Sequence, residues 1–144
     1  MTPDPSAPLV IDASVAAKCV LVEPHTGIAQ HLARTTRLLA PDLLWAELGS
    51  VLWARQKRGQ LAPDEARQLL AHLRALRITS YPLSPLLPAA LDVAIAIDHS
   101  LYDCLYLALA VARDSVVVTA DRRFHRAVSA SMLGERIVWI EDVP

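Results

Sequence analysis

The chain has 144 residues, of which 53% are apolar and 20% are charged, and its formal net charge is -1. This length favours a single domain over 1–144 with a sizeable core, and the apolar content excludes intrinsic disorder. The near-zero net charge also excludes a strongly basic protein that coats nucleic acids. The apolar share exceeds that of an average globular protein, which predicts that part of the surface contacts a partner.

No segment predicts a membrane span, because the longest unbroken apolar run, 104–112, falls well short of the roughly 20 residues that a span needs. Residues 1–7 are expected to form a flexible tail, without the positive charge or apolar segment of a secretory signal. Cys19 and Cys104 lack the spacing of a zinc site and are typical of buried free thiols in a reducing compartment. We therefore expect a cytoplasmic protein.

Strands and helices alternate along the chain. In chain order, the patterns predict a strand over 9–12, a mostly helical stretch over 13–34 that breaks near Glu23, and a strand over 37–40. A helix then begins at Pro41 with Asp42 in its first turn, runs to about Arg58 and stops at Gly59. The remaining elements are a helix over 63–77, a strand over 78–83, a helix over 84–97 capped by Ser84, an apolar helix over 102–113, a strand over 116–119, a helix over 122–132 and a strand over 136–140. Such alternation is typical of a parallel sheet with helices on both faces. We expect a small α/β sandwich.

Two acids stand directly after strands of the buried type. Asp12 follows Leu-Val-Ile, and Asp121 follows shortly after Val-Val-Val-Thr. In a parallel sheet both acids emerge at the same carboxyl edge, which is where α/β proteins place their ligands. The alternative is that each acid simply caps the helix that follows it.

Two further acids lie on predicted helices. Glu47 falls inside the inward apolar stripe of the 42–58 helix, where a lone carboxylate is costly unless it is paired or bound to a cation. The alternative is a glutamate at the edge of that stripe that reaches solvent. Asp103 begins the apolar helix and could form a capping box with Ser100, although capping leaves an oxygen available for a metal.

These carboxylates together predict a cation site. No lysine or arginine is adjacent in sequence to Asp12, Glu47 or Asp103. Two unit charges about 4 Å apart repel by about 4 kcal/mol at an effective dielectric constant near 20, so a cation or protonation is needed. Oxygen ligands select Mg²⁺ or Mn²⁺ over zinc, and such a site at a sheet edge suggests phosphoryl chemistry.

Three arginines follow the last acid of this set. Arg122, Arg123 and Arg126 are placed to contact a phosphate backbone, since arginine binds phosphate through a planar fork of donors. The alternative is a solvated basic face of the 122–132 helix.

The 42–58 helix also has a second apolar face. Trp45, Leu52 and Trp53 are predicted to point away from the stripe that holds Glu47. A monomer rarely exposes two tryptophans, so this face is either a partner surface or is covered by the 63–77 helix.

Four motifs in order resemble the PIN-domain ribonucleases, and more narrowly the VapC toxins of toxin–antitoxin pairs. They are VIDAS at 10–14, the mid-chain Glu47, YDCLYLALA at 102–110 and TADRRF at 119–124. The resemblance spans nearly the whole chain and implies a PIN-like three-layer sandwich with a short central parallel sheet. Cys104 stands where many relatives have a small residue such as alanine.

The resemblance also implies a site and an activity. It puts the acidic positions that are both catalytic and metal-binding on Asp12, Glu47, Asp103 and Asp121, and it puts supporting hydroxyls on Ser14 and Thr119. It implies a Mg²⁺- or Mn²⁺-dependent endoribonuclease in which the metal activates a water molecule for attack on the phosphodiester. It further implies an RNA substrate, arrest of translation, a VapB-like antitoxin and a homodimer.

Rival functions remain open. The main alternative is a non-catalytic PIN-fold module that binds RNA or protein, which the complete set of four acids disfavours. An aspartyl-phosphate phosphatase would need a second aspartate where Ser14 stands. A phospho-receiver domain would need a lysine where the late strand leads into Thr119 and Asp121.

Overall fold

The computed structural model describes Asp4 and residues 6–143, and a five-stranded sheet forms its centre. The strands are β1 (Leu9–Ile11), β2 (Leu38–Pro41), β3 (Ile78–Tyr81), β4 (Val117–Thr119) and β5 (Ile137–Trp139). Their spatial order is β3-β2-β1-β4-β5, and every neighbouring pair is parallel. The chain therefore adds strands on one side of β1 first and then on the other side.

Seven α-helices flank this sheet within the described residues. They are α1 (Ala13–Ala16), α2 (Thr26–Thr35), α3 (Leu43–Lys57), α4 (Pro63–Arg74), α5 (Leu87–Ile97), α6 (Leu101–Ala112) and α7 (Arg122–Ser129). Helix α6 packs against β1, β2 and β4, and α5 packs against α6. The predicted α/β sandwich is confirmed.

The core lies around the three middle strands and α6. Strands β1, β2 and β4 are buried along their whole length, as expected for parallel strands that are covered on both faces. Strand β3 is only partly buried because it forms one edge of the sheet. Residues 104–110 of α6 are all buried, which confirms the central position predicted from its apolar sequence.

The predicted start of α3 is wrong by two residues. Pro41 belongs to β2, because pairing with β3 extends to Tyr81 and the Asp42 amide then donates to the Tyr81 carbonyl at 2.8 Å. The Asp42 side chain does not cap α3, and its Oδ1 instead accepts the Leu83 amide at 3.0 Å. The acid therefore joins the end of β2 to the loop after β3.

Three other predicted helices are shorter or differently started than expected. A 3-10 turn over Ser84–Leu86 precedes α5, and the Ser84 side chain makes no capping bond. Helix α4 ends at Arg74 and α7 at Ser129. After α7, the Ser131 hydroxyl donates to the Val128 carbonyl at 2.7 Å and occupies an acceptor that a longer helix would use.

The second apolar face of α3 is largely covered by α4, which is one of the two alternatives that the sequence left open. Leu52 is only 3% exposed, and Trp45 is half-buried with the Arg74 guanidinium of α4 over its ring at 5.7 Å. Trp53 alone of the three is exposed, with the Lys57 ammonium 5.4 Å from its ring centre. Helix α4 packs along α3, so α3 needs apolar residues toward this helix as well as toward the sheet.

The expected flexible tail over residues 1–7 is described only in part. Residues 1–3 and 5 lie outside the described residues, while the Asp4 carboxylate accepts the Ser6 amide at 2.9 Å.

Among the described residues no single helix is long and apolar enough to cross a membrane. Two consecutive helical segments are long and apolar enough only when they are counted together, and the chain bends by 116° between them. They are Ser84–Ile97 and Leu101–Ala112.

Both cysteines are free and buried, as predicted. Burial raises the pKa of the Cys19 and Cys104 thiols to about 11, and the nearby charge of Asp103 contributes to the rise at Cys104. Both thiols therefore stay protonated near neutral pH, and neither is a reactive thiolate.

Candidate active site

The site lies where the strand order changes direction, at the carboxyl ends of β1 and β4. These strands are neighbours, and Ile11 is in register with Val118. Asp12 follows β1 directly, and Asp121 follows β4 after one residue. Loops diverge to opposite sides at such a switch point, which opens a crevice for a ligand.

The four predicted acids line one open pocket of about 330 Å³ in this crevice. The charged residues of its lining are Asp12, Lys18, Glu23, Glu47, Asp103 and Asp121. Glu47 reaches the pocket from α3 and Asp103 from the first turn of α6. The topology thus brings acids together from four separate segments of the chain.

Asp12 is the most deeply buried of these acids. It is 5% exposed, and its two carboxylate oxygens accept hydrogen bonds from the Ser14 and Thr119 hydroxyls, each at 2.5 Å. The Val15 amide donates to the same carboxylate at 3.2 Å and makes Asp12 the N-cap of α1. Capping and a place in the pocket are therefore compatible, and both are found.

Backbone amides also bind the two hydroxyls that hold Asp12. The Ala120 amide donates to Ser14 Oγ at 2.9 Å, and the Asp121 amide donates to Thr119 Oγ1 at 3.0 Å. Each hydroxyl oxygen therefore accepts an amide proton while its own proton is donated to Asp12. The loop after β4 therefore orients both donors that hold the Asp12 carboxylate.

The ionised form of Asp12 is nevertheless disfavoured. Burial raises the pKa of Asp12 to about 7, against the opposing effect of the hydrogen bonds from Ser14, Thr119 and the Val15 amide. The charge of Asp103 adds to the rise. Desolvation outweighs three hydrogen bonds because the carboxylate is almost completely removed from water.

Glu47 is held by a tyrosine from another helix. The Tyr106 hydroxyl of α6 donates to Glu47 Oε1 at 2.5 Å, and Tyr106 is fully buried. Burial raises the pKa of Glu47, the Tyr106 hydrogen bond opposes this rise, and the charge of Asp103 adds to it. The same burial, with the nearby Glu47 charge, also raises the pKa of Tyr106, so its hydroxyl remains a donor.

Asp103 is paired with a histidine, and the alternative reading of Asp103 as part of a capping box is not found. His99 Nε2 lies 2.7 Å from Asp103 Oδ2, whereas Ser100 is the N-cap of α6 without a side-chain bond. The His99 ring stacks on Phe124, with centroids 5.5 Å apart, which fixes its position beside α6. Burial raises the pKa of Asp103, the His99 hydrogen bond and charge oppose the rise, and the Asp121 charge adds to it.

Asp121 is the exposed member of the set. Its Oδ1 accepts the Arg123 amide at 2.9 Å and the Phe124 amide at 3.3 Å, so it caps α7. Its other oxygen, Oδ2, makes no hydrogen bond with the described residues. Asp121 therefore both caps α7 and lines the pocket.

The donor chemistry of the pocket fits a hard divalent cation. Carboxylate oxygens dominate its charged lining. Burial is the main cause of the raised pKa of Asp12, Glu47 and Asp103, and the charge of a neighbouring acid adds to each rise. Each of the four has its own hydrogen-bond donor in the protein. In this side-chain arrangement, no three acidic, histidine or cysteine residues among those described approach closely enough to hold one ion.

The three candidate arginines are placed differently from one another. Arg123 lines a second, adjoining cavity together with His99, Asp103 and Asp121. The Arg122 guanidinium lies 4.1 Å from the ring centre of Trp139, and Arg126 is exposed. Only Arg123 is therefore adjacent to the acids.

Four residues of the site were not predicted from the sequence. His99 and Tyr106 each hold one acid, and Lys18 and Glu23 complete the charged lining. A tyrosine inside the otherwise apolar 104–110 segment was an available signal for Tyr106. The other three gave no comparable signal, since their partners are set by the packing of separate segments.

Comparison with known proteins identifies the fold and the family. Residues 9–129 match the PIN domain family. The chain belongs to this family. A VapC ribonuclease from Mycobacterium bovis is 34% identical to it over 115 residues, which are 80% of this chain and 87% of that protein. The predicted resemblance to VapC-like PIN domains is therefore confirmed.

Solved structures of PIN-fold proteins are similar to the chain in architecture. A crystal structure from Pyrobaculum aerophilum superposes with a TM-score of 0.67 at 21% identity, covering 94% of this chain and 85% of that one. The Rickettsia felis VapBC2 structure, bound to a promoter DNA fragment, gives a TM-score of 0.62 at 14% identity, covering 92% and 96%. These likenesses confirm the PIN-like α/β sandwich.

The raised pKa of Asp12 predicts that this PIN domain loses stability as the pH rises. A carboxyl group whose pKa is higher in the folded state than in the unfolded state disfavours folding once it ionises. The folded state is therefore most stable, with respect to Asp12, while this carboxyl is protonated. That stability is lost as the pH rises from about 4, where the carboxyl ionises in the unfolded chain, through about 7, where it ionises in the fold. Between about pH 5 and about pH 8, the free energy of unfolding of wild type relative to Asp12→Asn should fall by about 2 kcal/mol.

Urea denaturation in a chelating buffer measures this difference. Asp64→Asn is a matched control, because Asp64 is an exposed acid in an ion pair on α4. Its difference from wild type should not change with pH in this window. Parallel pH profiles for wild type and Asp12→Asn would show that Asp12 is ionised in the fold at little cost.

Proposed function

We propose that the chain is a Mg²⁺- or Mn²⁺-dependent endoribonuclease and the toxin of a VapBC-like toxin–antitoxin pair. One observation carries the proposal: four carboxylates line a single pocket at the switch point of a chain that is 34% identical to a VapC ribonuclease. Cleavage of RNA would arrest translation. The alternative, a non-catalytic module, leaves the clustering of these acids unexplained.

The residues that would hold the cation are Asp12, Glu47, Asp103 and Asp121. When bound, a divalent cation supplies a Lewis acid that activates water and offsets negative charge on the phosphate. Glu47, Asp103 and Asp121 each use one oxygen in a hydrogen bond with the described residues, so the second oxygen of each remains available. Oxygens of this kind are suited to cation binding and to accepting a proton from water.

The surrounding residues act by orienting these carboxylates. Ser14 and Thr119 hold both oxygens of Asp12, and His99 holds Oδ2 of Asp103. Fixed partners of this kind reduce the rearrangement that binding would otherwise require. In the hydrolysis, water attacks the phosphorus in line, and the bond from phosphorus to the leaving oxygen breaks.

RNA contacts are assigned to the arginines after Asp121. Arg123 is the best placed, because it is adjacent to Asp103 and Asp121 and its guanidinium matches a phosphate. Arg122 and Arg126 would contact the backbone farther from the acids.

We place the protein in the cytoplasm, with a VapB-like antitoxin as its partner. The antitoxin assignment is supported by the likeness to a VapBC structure from Rickettsia felis.

Substitution of single acids tests the proposed activity. Asp12→Asn and Asp121→Asn should each lower cleavage more than about a hundredfold, because each removes a charge that the cation site requires. The assay sequences new 5′ ends in total bacterial RNA after incubation with Mg²⁺ or Mn²⁺. Asp64→Asn should cut as wild type does. Activity of both pocket variants within tenfold of wild type would contradict the proposal.

The proposed toxin is also a homodimer. Helix α5 carries Leu87, Leu91 and Ile95 at intervals of four residues, and their exposure rises from 37% to 52% and 72%. Residues four apart lie on one helix face, so these side chains form a continuous exposed apolar stripe. The resemblance to VapC implies that a second copy of the chain packs against this stripe.

Light scattering tests this assembly. Leu91→Glu combined with Ile95→Glu should halve the particle mass, because two carboxylates from each copy would be buried at the contact. Val22→Glu is the matched control, since Val22 is 97% exposed in the loop before α2. An unchanged dimer mass in the folded α5 double variant would show that this stripe is not the interface.

A further inference from the structure

One basic side chain, that of Lys18, lines the pocket together with the acids. Lys18 lies in the 3-10 turn Ala17–Cys19 that follows α1, and it lines the pocket beside Asp12 and Asp121. Its side chain is only 13% exposed. In the part of the chain that the structure describes, no other basic residue lines this pocket.

Two charged residues behind Lys18 form a short chain of ion pairs. Lys18 Nζ lies 3.7 Å from Glu23 Oε1, and the other oxygen, Glu23 Oε2, accepts a short hydrogen bond from Arg55 Nη2 of α3. The formal charges of Lys18, Glu23 and Arg55 add up to +1. Arg55 compensates Glu23, so the positive charge of Lys18 is left for the pocket.

The donors of Lys18 are not used within the protein. The distance of 3.7 Å to Glu23 exceeds that of a hydrogen bond, and Lys18 Nζ makes no hydrogen bond with the described residues. An ammonium group has three N–H donors, and burying most of its surface without partners is unfavourable. A ligand with anionic oxygens would satisfy these donors.

We propose that Lys18 is a further substrate-contacting residue, whose ammonium group binds a non-bridging oxygen of the RNA phosphodiester, and that Glu23 and Arg55 position it. This inference rests on the proposed ribonuclease function. A phosphodiester is an anion that four carboxylates repel, and lysine binds phosphate as a compact point charge. Negative charge grows on the phosphate oxygens during attack, so the contact strengthens as the reaction proceeds.

Two lysines make a matched comparison possible. Lys18 and Lys57 are the lysines of the chain, and Lys57 lies at the end of α3 over the Trp53 ring. Lys18→Met and Lys57→Met remove the same charge and keep an unbranched apolar stem. Lys18→Gln is a second variant that keeps the pocket polar, and Lys18→Arg restores the charge.

RNA binding measures the contact directly. The probe is a fluorescein-labelled, single-stranded 20-nucleotide RNA of random sequence, and anisotropy is followed across a range of salt concentrations in the Asp121→Asn background. Lys18→Met should weaken binding about tenfold, as expected for loss of a charge-assisted hydrogen bond. It should also reduce the slope of log affinity against log salt by about 0.7, the value for one phosphate contact on a single strand. Lys18→Arg should restore the slope.

Cleavage by variants with all four acids intact separates contact from positioning. Lys18→Met and Lys18→Gln should lower kcat by about tenfold or more while Lys57→Met matches wild type. Glu23→Gln keeps the Lys18 charge but removes its ion pair. It should lower kcat less than Lys18→Met does and leave the salt slope unchanged.

The outcomes distinguish this inference from the function on which it rests. Wild-type protein that does not cut RNA with either metal contradicts the proposed function and the role of Lys18 together. If wild type cuts RNA but the Lys18→Met slope and affinity equal those of Lys57→Met, the inference alone is overturned. A lower melting temperature as the only effect of Lys18→Met or Lys18→Gln would show that Lys18 is just part of a structural ion pair.

Discussion

Burial of the Asp12 carboxylate at the end of β1 is the constraint on which the rest of the site depends. The strand order places this acid beside Thr119 of β4, and the loop after β4 turns the Ser14 and Thr119 hydroxyls toward it. Three hydrogen bonds hold the carboxylate, yet its pKa stays near 7 because desolvation is the larger effect. The fold thus holds a charge in a place where that charge is unfavourable by itself.

The same conflict extends to the neighbouring acids. Burial raises the pKa of Glu47 and Asp103 as well, and the charge of Asp103 acts on both Asp12 and Glu47. Tyr106 and His99 each satisfy one oxygen of one acid without removing this mutual repulsion. A cation in the pocket would favour the ionised form of each acid and so offset both the burial and the repulsion.

The sequence predicts the strands and the common placement of the four acids because their signals are local. Short β-branched runs that end in Asp12 and Asp121 identify β1, β4 and their common edge, and the stripe of α3 identifies Glu47. Contacts between distant segments are not encoded in this way. The pairing of β2 with β3 moves Pro41 into a strand, and the packing of α4 buries Leu52. The His99 partner of Asp103 and the Glu23 partner of Lys18 likewise depend on tertiary placement.

These acids are proposed to form a divalent-cation site, and a thermal melt with added Mn²⁺ or Mg²⁺ tests this claim. A ligand that binds only the folded state stabilises it by about 2.7 kcal/mol at a hundredfold excess over Kd, so the melting temperature of wild type should rise with metal. Glu47→Gln should blunt this rise, while Glu65→Gln, at the exposed start of α4, should leave it intact. A wild-type melting temperature that does not change in millimolar metal would contradict the claim.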